Sequence, residues 1–283
     1  MEEWPLVPVK VITDSSAGIP PPLVDELDIG VVPIWLHLGE ESYRDGIELE
    51  LDDFYQRLEG GETPTTSSPS PGEFAQELKK AAADEYQSVL IITPSADFSG
   101  SFNAAMAARN EVEDLEVGIL DSRTAISAQA LVTIEAARAA YSGSDLEAVR
   151  NRGVEISEKV QLIATIDTLR YLRRSGRVNV AQFMLGETLR VKPMFRLHGG
   201  EVSAISPALS ERSALTRILE DVEGSLGTLH AGVFHGNVGD RAEFLRARIV
   251  EARPDAEVFV TRFSPAMGSH TGPGVVGVAF WSS

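Results

Sequence analysis

The sequence predicts an α/β protein with two domains, an N-terminal domain over residues 1–160 and a C-terminal domain over residues 161–283. In the first half, apolar β-branched runs alternate with segments of helical period, which is typical of a parallel sheet flanked by helices. In the second half, a glycine turn lies between two short apolar runs, which indicates a hairpin. We therefore expect the C-terminal domain to be an α/β sandwich with a mixed sheet.

Continuous apolar runs in the first domain predict strands that are buried on both faces. These runs are residues 9–13, 31–38, 89–93 and 117–120. Helical periodicity predicts helices over residues 21–27, 51–58, 71–83, 101–112 and 125–141. Ser70-Pro71-Gly72-Glu73 has the form of a capping box, and Ser144-Asp145-Leu146-Glu147 predicts a second capping box before another long helix.

The pattern changes after Lys159, where we place the domain boundary. The predicted strands that follow are residues 160–166, 194–197, 202–205, 230–234, 258–261 and 275–280. The predicted helices are residues 168–174, 180–189, 211–226 and 241–252. His198-Gly199-Gly200 separates the second and third of these strands and predicts the hairpin turn.

The composition disfavours several classes of protein. With 42 acidic and 25 basic side chains, the net charge of −17 repels nucleic acid and anionic lipid head groups. The absence of cysteine removes disulfides, thiolate nucleophiles and cysteine-based zinc sites. No apolar run reaches the ~18–20 residues of a membrane-spanning helix, and the acidic start is unlike a secretory signal. We therefore expect a cytoplasmic protein.

The common sequence templates for enzymes and cofactors are missing. No glycine is followed by lysine, as a phosphate-binding Walker motif requires, and no G-x-S-x-G hydrolase motif occurs. Residues 272–277 match the G-x-G-x-x-G spacing but precede a predicted strand, so they do not indicate dinucleotide binding. Asp14, Asp97 and Asp121 follow strands and are either carboxylate catalysts or ordinary capping residues. We expect no cofactor, no metal and no catalysis by this chain alone.

Three loops at the predicted carboxyl edge of the parallel sheet are rich in hydroxyl groups. They are residues 13–16, 63–70 and 93–101. Ligands of open parallel sheets bind at this edge, and helix N-termini there favour anions. Serine and threonine can donate to a carboxylate without adding charge. One such loop is more often a turn or a helix cap, but three at one edge indicate a binding site.

Two further segments contain candidate residues. His270 lies in a glycine-rich stretch, residues 267–274, and is either a solvated loop side chain or part of a backbone that closes around a ligand. Residues 170–196 hold seven basic side chains and one acid. They form either a solvated face whose arginine stems cover apolar surface or a docking site for an acidic partner or its phosphates. The basic residues are Arg170, Arg173, Arg174, Arg177, Arg190, Lys192 and Arg196.

Seven segments of the sequence resemble, in order, the motifs of the DegV family. Each is weak alone, but together they span nearly the whole chain. They are Ile12-Thr13-Asp14-Ser15-Ser16-Ala17, Thr66-Ser67-Ser68-Pro69-Ser70-Pro71, Phe98-Ser99-Gly100-Ser101-Phe102-Asn103, Asp121-Ser122, Leu172-Arg173-Arg174-Ser175-Gly176-Arg177-Val178, Lys192-Pro193 and His270-Thr271-Gly272-Pro273-Gly274.

The resemblance implies two α/β domains with a long-chain fatty acid buried between and beneath them. It also implies the fatty-acid-binding subunit of a bacterial fatty acid kinase, whose separate ATP-binding kinase subunit phosphorylates the bound carboxylate for phospholipid synthesis. The residues that match the family's head-group contacts are Thr66, Ser99 and His270, with Ser95 and Ser67 as second choices. The arginines that match a partner- or phosphate-facing turn are Arg177 and its neighbours Arg174 and Arg173.

The sequence departs from the family pattern at three places. Ser68 replaces the usual glutamine, Ser175 replaces the first of two glycines, and Ser95-Ala96 stands where two serines are frequent. Two other interpretations remain open: a binding protein for another small carboxylate or carbonyl compound, and a serine hydrolase in which Ser99 or Ser95 acts with His270. The leading hypothesis is a carrier of fatty acid that is not itself a complete enzyme.

Overall fold

A computed structural model describes residues 9–113, 115–177 and 191–283. The strands are β1 (Val9–Asp14), β2 (Gly30–Val32), β3 (Trp35–Leu38), β4 (Glu41–Arg44), β5 (Thr65–Ser67), β6 (Ser88–Thr93), β7 (Glu116–Asp121), β8 (Gln161–Thr165), β9 (Lys192–His198), β10 (Glu201–Ala208), β11 (Leu229–His235), β12 (Glu257–Arg262) and β13 (Val276–Ser282). The helices are α1 (Pro21–Glu26), α2 (Leu51–Glu59), α3 (Pro71–Ala83), α4 (Ser101–Ala108), α5 (Ser127–Tyr141), α6 (Leu146–Lys159), α7 (Arg170–Ser175), α8 (Glu211–Glu223), α9 (Gly239–Ala252) and α10 (Pro265–Thr271).

The first sheet has the order β2-β1-β6-β7, and all of its neighbouring strands are parallel. Every residue of β1 and β6 is buried, because helices cover both faces of these central strands. Helices α3 and α4 pack on one face, while α5 and α6 pack on the other. The predicted parallel sheet is confirmed. Its carboxyl edge carries Asp14, Thr93 and Asp121.

The predicted strand over residues 31–38 is wrong, because Pro33 divides it into two strands that belong to different sheets. Proline has no backbone N–H to donate, so it interrupts a strand ladder. Strand β2 pairs with β1, whereas β3 lies in the middle of a small antiparallel sheet, β4-β3-β5. The predicted loop over residues 63–70 therefore contains strand β5, which places Thr66 directly opposite Leu36.

One of the two predicted helix caps is confirmed. Ser70 and Glu73 form the capping box of α3, with the Ser70 amide donating to Glu73 Oε2 at 2.7 Å. The box predicted at Ser144 is wrong, since Asp145 caps α6 by accepting from the Ala148 amide at 2.8 Å. The Ser144 amide instead closes the turn that ends α5, by donating to the carbonyl of residue 139 at 3.2 Å. Helix α4 is also shorter than its predicted span, residues 101–112.

The second sheet is mixed, as predicted, with the order β10-β9-β8-β13-β11-β12. Only β11 and β12 pair in parallel; the other neighbours are antiparallel. Gly199 and Gly200 form the predicted two-residue turn, and both have positive φ, 59° and 89°. Helices α8 and α9 cover one face of this sheet, and α5 and α6 pack on the other face.

Helices α5 and α6 are therefore shared between the two large sheets, and the layers alternate α/β/α/β/α. The predicted α/β fold class is confirmed. The predicted boundary at residues 160/161 falls between α6 and β8 and stays a prediction. The predicted helix over residues 180–189 lies outside the described residues. Across residues 9–113, 115–177 and 191–283, none of the helices has the length and apolar character that crossing a membrane requires.

Candidate binding site

A cavity of about 430 Å³ lies between the carboxyl edge of the first sheet and strands β8, β9 and β10 of the second. Small-molecule sites typically have roughly 300–1,000 Å³. Most of the large apolar side chains of its wall belong to one hydrophobic cluster or pack against it; these are Phe98, Ile126, Leu162, Leu172, Phe195, Leu197, Val202 and Met267. The polar lining includes hydroxyl groups from residues 66–68 and 99. The cavity thus combines a continuous apolar wall with a group of hydroxyls.

Thr66 and His270, 204 residues apart in the chain, form a hydrogen-bonded pair in the cavity wall. Thr66 lies on β5 and His270 on α10, and their Oγ1 and Nε2 atoms are 2.9 Å apart. Burial, and then the positive charges of Arg177 and Arg174, lower the pKa of His270 to about 4. The imidazole is therefore neutral at pH 7, with one N–H to donate and one ring nitrogen to accept.

Helix α10 replaces the predicted glycine-rich loop, and a buried carboxylate holds its N-terminus. Asp45 Oδ1 accepts from the Ala266 amide at 2.9 Å, and Asp45 Oδ2 accepts from the Ser15 hydroxyl at 2.8 Å. Burial raises the pKa of the Asp45 carboxyl. Because this contact fixes the start of α10 beside the first sheet, it also fixes the direction from which His270 reaches Thr66.

The glycines around His270 serve close packing. A Cβ on Gly268 would lie 2.8 Å from the ring of Phe54, and a Cβ on Gly272 would overlap the ring of Tyr171. Gly272 has φ 79° and ψ −179°, a conformation open essentially to glycine alone. These glycines let α10 approach α2 and α7, and Met267, His270 and Thr271 of the same segment line the cavity, so closure of the backbone around a ligand stays a prediction.

Ser99 lies at the centre of a row of serine hydroxyls. Its Oγ is 3.0 Å from Ser68 Oγ and 3.0 Å from Ser101 Oγ. Ser68 Oγ also accepts from the Gly100 amide at 2.9 Å. Ser68 and Ser99 both line the cavity, whereas Ser101 is fully buried behind them. These three side chains join the segment after β5 to the segment after β6.

The two second-choice serines have different positions. Ser67 is an exposed part of the cavity lining, and its Oγ is 3.0 Å from Nε2 of His37. Ser95 is 1% exposed, is not among the lining residues, and accepts from the Asp97 amide at 3.3 Å. Ser95 therefore shapes the loop that carries Ser99.

The row of serines ends inside the protein at Asp14, the last residue of β1. Asp14 is fully buried, and its Oδ2 accepts from the Ser101 hydroxyl. Its Oδ1 accepts from the amide and hydroxyl of Ser16 and from Gln129 Nε2. Burial raises the pKa of Asp14, and these hydrogen bonds partly oppose that effect.

The predicted basic segment does not form one patch in the described residues. Lys192 pairs with Asp167 at 2.6 Å, and Arg196 pairs with Asp221. Arg177 is exposed, lines the cavity and donates from Nη1 to the Ser175 carbonyl at 2.8 Å.

The other arginines of the segment lie around α7. Arg174 is half-buried; its Nη1 donates to Thr63 Oγ1 at 3.3 Å, and its buried Nη2 has no partner among the described residues. Arg173 is exposed, and the guanidinium of Arg170 lies 5.8 Å from the centre of the Tyr171 ring. Arg190 lies outside the described residues.

Sequence reasoning did not single out Ser68 and Asp45 for the site. Ser68 lies in the predicted hydroxyl-rich loop over residues 63–70, but it is named individually only as a departure from a family motif, although Thr66 and Ser67 before it are candidates. Asp45 follows an exposed strand in a segment of mixed charge, and nothing in that pattern indicates a buried carboxyl. The contact that gives Asp45 its role joins it to residue 266, 221 positions along the chain.

Fold and site together define a class: an α/β protein of two large sheets that encloses an amphipathic cavity between them. A family model described as "Uncharacterised protein, DegV family COG1307" matches residues 8–283. The chain therefore belongs to the DegV family. A DegV domain-containing protein of Halalkalibacterium halodurans is 31% identical over 277 residues, covering 96% of this chain and 98% of that protein. Protein DegV of Bacillus subtilis is 30% identical over 277 residues, with coverage of 96% and 98%.

Solved structures of family members have the same fold. A DegV family protein from Thermus thermophilus, whose structure is described as showing fatty acid binding, is 28% identical with a TM-score of 0.89. The match covers 97% of this chain and 99% of that one. DegV from Bacillus subtilis, described as a fatty acid binding protein, is 29% identical with a TM-score of 0.86, and the coverage is 97% and 99%.

Proposed function

We propose that this protein binds a long-chain fatty acid in the cavity and presents its carboxylate to an ATP-dependent kinase subunit in the cytoplasm, which forms the acyl phosphate. The observation that carries the proposal is the composition of the cavity wall: eight large apolar side chains of one cluster beside a group of uncharged hydroxyls and a neutral imidazole. The fatty acid binding of the related Thermus and Bacillus proteins supports the same ligand class.

Both parts of a fatty acid match this wall. Burying a methylene contributes about 0.8 kcal/mol, so an acyl chain of a dozen or more carbons supplies on the order of 10 kcal/mol before the cost of association. A carboxylate enters such a site only if donors replace its water. Hydroxyl groups and one imidazole N–H provide those donors without an arginine fork on the oxygens, which leaves a carboxylate oxygen able to attack a phosphorus atom.

The first experiment is mass spectrometry of the purified protein, in the native state and after organic extraction. A stoichiometric fatty acid, with the native mass higher by the same amount, is the expected result. If nothing is extracted, the protein is titrated with palmitate, and the absence of saturable binding contradicts the proposal. A short polar ligand in the extract would favour the alternative of another small carboxylate or carbonyl compound.

The kinase part of the proposal is tested separately, with two arginines at the turn that ends α7: Arg173 lies in the last turn of the helix, and Arg177 follows its C-cap, Gly176. Arg173 is exposed and is not among the cavity-lining residues, whereas Arg177 lines the cavity. We expect Arg173→Glu to weaken docking of the kinase, and so acyl-phosphate formation, while fatty acid affinity stays unchanged. Arg177→Glu is expected to lower both. Normal turnover with both variants would contradict a docking role for this turn.

The serine hydrolase alternative needs a serine within hydrogen-bond reach of the histidine. Among the described residues the hydroxyl bonded to His270 is that of Thr66, while Ser99 is bonded to Ser68 and Ser101. We therefore expect no labelling by a fluorophosphonate probe. Labelling that Ser99→Ala abolishes would favour the hydrolase instead.

A further inference from the structure

The hydroxyls of Ser68, Ser99 and Ser101, together with the carboxyl of Asp14, form one hydrogen-bonded row, called here the serine ladder. The ladder opens into the cavity at Ser68 and Ser99 and ends at a carboxyl that is fully buried. Each hydroxyl carries a single proton, so it can donate only one hydrogen bond. The direction of every bond in the ladder is therefore set by the group at its inner end.

When Asp14 is ionised, all the ladder protons point inward. Ser101 must donate to the carboxylate, so in its bond with Ser99 it can only accept. Ser99 then donates to Ser101 and accepts from Ser68. Ser68 can then donate to a head group in the cavity only by giving up its hydrogen bond to Ser99, which is unfavourable for binding an anion.

When Asp14 is protonated on Oδ2, every bond of the ladder reverses. Oδ1 already accepts from three donor groups, the Ser16 amide, the Ser16 hydroxyl and Gln129. The proton therefore belongs on Oδ2, whose hydrogen-bond partner among the described residues is the Ser101 hydroxyl. Asp14 then donates to Ser101, Ser101 to Ser99, and Ser99 to Ser68. The Ser68 proton becomes free to point into the cavity.

Among the described residues, the groups that hydrogen-bond to the Asp14 carboxyl carry no charge. Ser101 of α4 and Gln129 of α5 are neutral, and Val32 is its apolar neighbour on β2. The titratable group coupled to it is Asp45, a second buried carboxyl, whose pKa is raised by burial and, to a smaller extent, by the charge of Asp14. Across the described residues no lysine, arginine or histidine forms an ion pair with Asp14.

We propose that Asp14 is a positioning residue that sets the direction of the serine ladder, and that a carboxylate head group binds in the cavity with uptake of one proton at Asp14. The inference rests on the proposed function, since it takes a carboxylate as the ligand. Protonation supplies a donor at Ser68 and removes a like charge behind it, so both effects favour the bound anion. Ser99, a head-group candidate from the sequence, then acts as a relay to Ser68.

Calorimetric titration with decanoate, repeated between pH 6.5 and 9 in buffers of different ionisation enthalpy, counts the protons taken up. For the unchanged protein we expect up to one proton per bound ligand, and an affinity that falls by up to about tenfold per pH unit once free Asp14 is ionised.

In Asp14→Asn, the side-chain oxygen takes the place of Oδ1 and the amide NH₂ donates to Ser101. This variant is expected to bind with no proton uptake and with an affinity independent of pH.

Two further variants complete the test. Ser101→Ala interrupts the ladder and leaves Asp14 in place. This variant is expected to bind decanoate with reduced proton uptake. It tests the inference even if Asp14→Asn does not fold. Asp45→Asn tests whether the other buried carboxyl takes up the proton. If proton uptake is lost in Asp45→Asn but retained in Asp14→Asn, the inference is overturned. Equal uptake in the unchanged protein, Asp14→Asn and Ser101→Ala would overturn it as well. Absence of decanoate and palmitate binding at every pH would contradict the proposed function itself, whereas binding without proton uptake would contradict only this inference.

Discussion

Replacing Thr66 with valine tests the head-group end of the cavity with little change of shape. The hydroxyl of Thr66 lies in the cavity wall, 2.9 Å from Nε2 of His270. Thr66→Val removes this group and leaves both the ligand carboxylate and the imidazole with one partner fewer. A hydrogen bond to a charged group contributes about 1.5–3 kcal/mol, so we expect the Kd for palmitate to rise by about 10- to 100-fold.

The matched control is Thr65→Val, the preceding residue of β5. Thr65 is exposed and is not among the cavity-lining residues, so the same change of side chain there is expected to leave the Kd within about twofold. Displacement of a fluorescent fatty acid measures both variants, with urea unfolding to show that each is folded. If Thr66→Val binds as tightly as Thr65→Val, the head group does not contact the Thr66 hydroxyl.

Two further predictions concern stability. Gly272→Ala places a Cβ against the Tyr171 ring in a backbone conformation reserved for glycine, whereas Gly143→Ala, at φ 87°, meets no atom within 4 Å. Urea unfolding is expected to show Gly272→Ala less stable than Gly143→Ala by about 1–3 kcal/mol, and equal losses would contradict the close packing of α10. Folding lowers the pKa of His270 from 6.5 to about 4, so protonation of this imidazole favours the unfolded state. The free energy of unfolding is therefore unaffected by this group above pH 6.5 and decreases by up to about 3 kcal/mol as the pH falls towards 4. His270→Gln should lose less stability over that interval; an unchanged acid profile would contradict burial of the imidazole.

The parallel sheet and the hairpin could be predicted because their signals are local. Strands β1 and β6 are buried on both faces and so appear as unbroken apolar runs, and Gly199-Gly200 supplies the positive φ angles that a two-residue turn requires. The small sheet could not be predicted in this way. Strands β4 and β5 are short and have exposed or half-buried residues throughout, so no apolar alternation marks them.

Part of the candidate site could be predicted from local motifs, whereas the helix that carries one of its residues could not. Thr66, Ser99 and His270 follow family motifs, and the structure places all three in the cavity wall. The helix that carries His270 was missed, although Ser264 and Pro265 give it a helix start, because Gly268 and Gly272 are more typical of a loop. These two glycines are required because aromatic rings on α2 and α7 pack against them. A contact between segments that are distant in the chain produces no periodic pattern in the sequence, so it could not be predicted.

The position of β13 determines the order in which the second sheet can be completed during synthesis. Strand β13 follows both β8 and β11 in the chain, yet it lies between them in the sheet and pairs with both. Until it leaves the ribosome, those two strands each have an unpaired edge, which exposes the nascent chain to mispairing and aggregation. The wall of the cavity that β8 contributes through Leu162 therefore gains its second neighbouring strand only after β13 has been made.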